Sequence, residues 1–209
     1  MKSIAKGLQL INIENEFVNR ACDIVLISSP QSDPYVTWQA QDSTKSFWPR
    51  DWLAKDFPQS RIILAQCNSD LKSLSVLEQE IKELLENMKR VGIGQVPLYF
   101  VAHSTGSMIL KQLLVLSKIK KGFQHIVENT KLITFYGALM KDAKLEHYSQ
   151  FLGNHPTSKT DKQEFAYYFY NSDHNYQELE ISSFVYNEAL KTDNKIVSEI
   201  TFFIYLCFM

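Results

Sequence analysis

The stretch "PLYFVAHSTGSMILKQLL", residues 97 to 114, joins a run of β-branched and aromatic residues to a run with helical spacing, and a serine, Ser104, stands at the join between small residues. An apolar run of six followed by a small-residue corner predicts a buried strand that turns sharply into a helix. Ala102 and Gly106 lie two before and two after the serine. That spacing suits a corner tight enough to present a serine hydroxyl and to pack the helix close, the geometry of a nucleophile elbow. The alternative reading is a serine that merely caps the helix N-terminus.

Outward from this corner the same pattern recurs. Short, nearly continuous apolar runs occur at "DIVLIS" (23–28), "RIILAQC" (61–67), "KLITFYG" (131–137) and "ISSFVY" (181–186). Between them, "LSVLEQEIKELLENMKRV" carries Leu74, Leu77, Ile81, Leu84, Leu85 and Met88 at the spacing of a helix with one buried face. Buried strands alternating with helices predict an α/β domain: a mostly parallel sheet with helices on both faces and right-handed crossovers. The polar run "GNHPTSKTDKQE" (153–164) reads as a surface excursion, and "NSDHN" (171–175) as a surface turn.

Composition sets the class. A chain of 209 residues, 45% hydrophobic, is sized for one domain, here 1–209 with residues 1–20 peripheral and 200–209 an apolar tail. A net charge of -1 offers no basic field for nucleic acid. Cys22, Cys67 and Cys207 form neither a disulfide framework nor a zinc pattern and read as buried free thiols. No His, Cys and carboxylate spacing suggests a metal, and no cofactor is expected. No Gly-rich phosphate loop follows the first long strand, which argues against a nucleotide site. The N-terminus lacks the apolar run and cleavage site of a secretory signal. The apolar end "ITFFIYLCFM" has roughly half the length of a membrane span.

The segment "TWQAQDSTKSFWPRDWLAKDFPQSRIILAQCNSD" (37–70) carries a Trp-Pro-Arg-Asp-Trp-Leu run, an Asp-x-Pro and an Arg-Ile strand. It resembles the α/β-hydrolase family of the serine-active-site-containing protein, a lipase-like group related to the GPI inositol-deacylases. "VAHSTGSMILKQLL" is similar to that family's serine elbow and helix, "NTKLITFYGA" (129–138) to its next strand, and "ISSFVYNEAL" (181–190) more weakly to a later one. The matches cover most of residues 20 to 140. Read from the residues alone, Pro49 and Asp51 suit the first turn of a helix, and Trp48, Trp52 and Leu53 supply packing surface or a cleft wall.

The resemblance implies an esterase-type site whose parts can be sought one by one. Ester cleavage through serine needs a nucleophile, a base, an acid that orients the base, and donors for the oxyanion. Ser104 is the expected nucleophile, and Thr105, next along, the expected oxyanion donor. The second donor comes in the family from a glycine-rich loop after an early strand. Here that loop is Ser28, Ser29, Pro30, Gln31 and Ser32, before Asp33-Pro34. Pro30 has no N–H to give, which leaves Ser29 or Gln31. The acid implied by the resemblance is Glu188, two residues out of register with the family's glutamate. The fold's order of serine, acid, histidine places the base late in the chain. Yet His103, His125, His147, His155 and His174 all precede residue 175, as though the family's last strand were missing or replaced by the apolar tail. Asp142 followed by His174 keeps the right order and is the alternative pair.

Two functions follow. One is a lipase-like hydrolase of lipid esters. The other is a degenerate, non-catalytic binding or interaction module on the same scaffold, which the lost glycines, Pro30 and the missing late histidine favour for this chain. The resemblance also implies an association with membranes, mitochondria and the endoplasmic reticulum.

Overall fold

The alternation read from the sequence becomes, in a computed structural model, a seven-stranded sheet. The structure describes residues 1–12, 19–30, 32–40, 45–67, 73–139, 143–152, 159–179, 181 and 183–186. Strands β1 (Lys2–Ala5) and β2 (Leu8–Leu10) form an antiparallel pair at one edge. They are followed by β3 (Cys22–Ile27), β4 (Ser60–Ala65), β5 (Leu98–His103), β6 (Thr130–Tyr136) and β7 (Ser183–Tyr186). The spatial order is β1-β2-β4-β3-β5-β6-β7, with β4 to β7 and β3 all parallel. β2 joins them antiparallel through β4.

Every residue of β3 and β4 is buried, because the sheet is covered on both faces. On one face Val25, Ile27, Ile63, Phe100, Ala102, Ile133 and Phe135 meet α3 (Leu74–Arg90), α4 (Gly106–Ile119), α5 (Gln124–Asn129), α6 (Leu145–Phe151) and α7 (Lys159–Gln177). The helix spacing read from the sequence is what α3 buries: Leu77, Ile81, Leu84, Leu85 and Met88. The other face is covered by short pieces instead of long helices. These are α1 (Pro34–Thr37), a π-helical turn (Pro49–Leu53) and α2 (Ala54–Asp56). Their bulk comes from Trp38, Phe47, Trp48, Leu53 and Phe57 packed on Ile24, Leu26, Ile62, Tyr99 and Val101. Trp38 meets Trp48 edge-on at 5.7 Å and Tyr35 stacks on Phe47 at 4.5 Å.

Pro49 opens the turn and Asp51 stands in its first turn, as read from the sequence. Its carboxylate accepts from Phe47 N–H at 2.9 Å and pairs with Arg50 at 2.7 Å, which holds its pKa below the usual carboxylate range.

Two local readings are corrected. Residues 153–158 of the polar run lie outside the described residues, but Lys159–Glu164 are the first turns of α7, and Asn171–Asn175 are helical too. Polar residues there form the solvated side of a helix whose Phe165, Ala166, Phe169, Ser172, Asp173 and Tyr176 make one buried stripe. The stripe escaped notice because two of its members are polar. Asp173 pairs with Lys111 of α4 and accepts from Tyr148 Oη at 2.8 Å, so a buried charge is neutralised where α7 docks. Cys22 and Cys67 are buried free thiols, and burial pushes both up to about 12.

Candidate active site

Ser104 stands between β5 and α4 with φ of 52°, one of two non-glycine residues at positive φ among those described. A β-carbon disfavours that left-handed conformation, so surrounding structure must enforce it. Two contacts do so. Ser104 N–H donates to Tyr136 O at 2.8 Å, continuing the β5–β6 pairing to the last possible residue. Its carbonyl accepts from both the N–H and the hydroxyl of Ser107, at 3.0 and 2.5 Å, and starts α4.

The small residues of the corner have separate reasons. Ala102 is fully buried opposite Ile27. At Gly106 a β-carbon would lie 2.7 Å from Ile27 O and 2.8 Å from Ser28 O, so the start of α4 rests directly on the end of β3. The helix cap position belongs to Thr105, so Ser104 is the corner itself. Among the described residues Ser104 Oγ has no hydrogen-bond partner, and Thr105 N–H donates to no backbone carbonyl.

The loop after β3 lies against this corner. Ser29 Oγ donates to His103 O at 3.4 Å, and Ser29 O accepts from Ser32 N–H at 3.2 Å and Ser32 Oγ at 2.8 Å, closing a tight turn around Pro30. Gln66 Nε2 reaches the carbonyl oxygens of Ser29, Pro30 and Ser32 at 3.4, 3.2 and 2.5 Å. Sequence reasoning passed over Gln66. The available signal was its place directly after a strand, at the carboxyl end of the sheet where open α/β sheets bind ligands.

Of the residues proposed from sequence, Ser104, Thr105 and Ser29 are brought together at the carboxyl ends of β3 and β5. His174 is exposed on α7, turned from the stripe that seats the helix. Asp142, Glu188 and Gln31 lie outside the described residues. His103 shares the face of Tyr99 and Val101, and its ring meets Trp38 edge-on at 6.1 Å. Its Nδ1 is buried without a partner among the described residues, and burial holds the imidazole below its ordinary pKa. A neutral ring packed on tryptophan contributes to the wall behind the serine. Among the described residues no group of His, Cys, Asp and Glu could hold a metal ion, and no helix is long and apolar enough to cross a membrane.

No family model matches the chain. Human Protein SERAC1 is 28% identical over 152 residues, covering 61% of this chain, and the zebrafish protein is 32% identical over 112 residues, covering 49%. The chain is a distant homologue of Protein SERAC1. It spans 23% of the human SERAC1 and 17% of the zebrafish one, so it corresponds to a fraction of those proteins' length. A solved fungal esterase from Rhizomucor miehei superposes with a TM-score of 0.50 at 10% identity, over 96% of this chain and 78% of that one. At that identity the likeness concerns the fold alone. The SERAC1-like chain therefore has the α/β-hydrolase architecture expected from its sequence.

Proposed function

We propose that the chain is a lipase/esterase-like serine hydrolase of low turnover, acting on ester bonds by acyl transfer through Ser104. The observation that carries this reading is the backbone of Ser104 itself. A non-glycine residue held at φ 52° stores strain on the order of 1–3 kcal/mol, which a helix cap would not require. In acyl transfer Ser104 Oγ bonds to the ester carbonyl carbon and gives up its proton to a base. The alcohol then leaves, and water releases the acyl group. Thr105 N–H, free of a backbone partner among the described residues, is the first oxyanion donor, with Ser29 at the second position. His174 is the candidate base, and Glu188 or Asp142 the orienting acid. A lipid ester substrate, a mitochondrial or endoplasmic-reticulum setting and membrane association rest on the resemblance to the family.

Low turnover follows from Pro30. Pro30 removes the N–H at the usual donor position and Ser29 replaces it only in part, where outright loss of one such donor costs about 100- to 1,000-fold in rate. Pro30, together with the outward position of His174, supports the second reading, a scaffold that binds without cleaving. Pro30→Gly separates the two. The variant is expected to raise kcat for p-nitrophenyl butyrate hydrolysis by about 10- to 100-fold, part of the donor's worth. Absence of turnover in both forms, with both folded, would favour the non-catalytic module.

A further inference from the structure

Gln66 follows β4 directly, and β4 flanks β3 on the side away from β5. The loop after β3 is therefore held between two neighbours, Gln66 on one flank and the Ser104 corner on the other. From its flank one side-chain amide takes three carbonyl oxygens, those of Ser29, Pro30 and Ser32. An amide nitrogen carries two hydrogens, so three acceptors share them and all three carbonyls converge on one atom. Gln66 is itself fixed from behind. Its N–H donates to Gly7 O at 3.0 Å, and at Gly7, with φ of 75°, a β-carbon would stand 2.7 Å from Gln66 O. The turn between β1 and β2 thus seats Gln66 in backbone contact that admits no other residue at position 7 without a shift.

A developing oxyanion is stabilised by donors and opposed by any carbonyl oxygen aimed at it. A five-residue loop beside the nucleophile carries several such oxygens, and their direction decides whether the site favours the transition state. We infer that Gln66 is a positioning residue for acyl transfer at Ser104, holding the carbonyl oxygens of Ser29, Pro30 and Ser32 on the β4 flank and away from the oxyanion. The inference rests on the hydrolase reading given above. It assigns the N-terminal strand pair a part in the site as well, since the β1–β2 turn fixes Gln66.

The test compares wild type with Gln66→Ala, Gln66→Glu and Gln66→Lys. The readouts are the rate constant for labelling by a fluorophosphonate, kcat and KM for p-nitrophenyl butyrate, and the thermal midpoint of each protein. Removing the donor, or replacing it by a carboxylate, frees the carbonyls to turn. Gln66→Ala and Gln66→Glu are expected to slow labelling and kcat by about 100-fold, the usual cost of a misplacement near 1 Å, with KM unchanged. Gln66→Lys supplies three N–H donors to the three carbonyls and is expected to recover most of the rate. Equal labelling rates in all four proteins would overturn the inference while leaving the hydrolase reading intact. So would a loss that follows only the folded fraction and is not recovered by lysine. Folded wild type that fails to label removes both.

Discussion

Gly106→Val is expected to destabilise the protein by about 3 kcal/mol or more, the upper end of the range for overpacking a closed site. Helix propensity alone argues the other way. Gly106 is the first residue of α4, and within a helix glycine is about 1 kcal/mol worse than alanine. The magnitude of the contact decides between the two effects. A β-carbon at this position would lie 2.7 Å from Ile27 O, 2.8 Å from Ser28 O and 2.9 Å from Ser28 C, and all three atoms are backbone at the end of a central strand. No side-chain rotation relieves such an overlap. Either α4 lifts from the sheet or the corner at Ser104 opens, and both undo packing of Met108, Ile109 and Leu110, each nearly or fully buried. Gly106→Ala is expected to be destabilising too, in opposition to its helix propensity. Urea unfolding of both variants measures the effect, and an alanine variant more stable than wild type would show that the contact has no such weight.

Asp23→Ala is expected to cost about 3–5 kcal/mol, the range for removing one partner of a buried ion pair. Asp23 is fully buried at the start of β3. Its carboxylate accepts from Arg61 Nε and Nη2 at 2.8 and 2.9 Å and from Arg20 Nε at 2.7 Å. The two guanidinium groups also donate to Val91 O at 2.7 Å and to Gly92 O at 2.6 Å, so one carboxylate ties two strands to the loop that ends α3. Without it, Arg61 keeps its charge in a site only 8% exposed, its carboxylate partner gone. At about 2–4 °C per kcal/mol for a domain of this size, the melting temperature should fall by roughly 10 °C. Calorimetry on the variant checks it. A fall within 2 °C would mean that the arginines find new partners and that the pair contributes little.

The same two sites mark how far the sequence could be read. The five parallel strands were legible because apolar runs buried in the sheet leave a local signature, whereas the short edge strands β1 and β2 were not, and α3 was legible because its five buried apolar positions keep strict spacing. The serine corner was legible in Ala102, Ser104 and Gly106, since small residues are required at those places. Asp23 and Arg61 are each the second residue of a strand read from the sequence, but their partnership comes from parallel pairing in register, Asp23 beside Arg61, and no local pattern encodes it. α7 was hidden because its buried stripe includes Ser172 and Asp173, whose burial makes sense only with Lys111 and Tyr148 opposite. Gln66 was invisible for a related reason. Its three acceptors lie more than thirty residues away in a loop whose path depends on Pro30.

The strained backbone at Ser104 is expected to serve a reactive serine. The most direct measurement is labelling of the purified chain with a fluorophosphonate probe beside Ser104→Ala, with circular dichroism confirming that both are folded. The expected result is slow, stoichiometric labelling of wild type and none of the variant, with the modified residue located at Ser104 by mass spectrometry. Folded wild type that stays unlabelled, or labels equally with alanine at position 104, would contradict the account and leave the scaffold as a binding module.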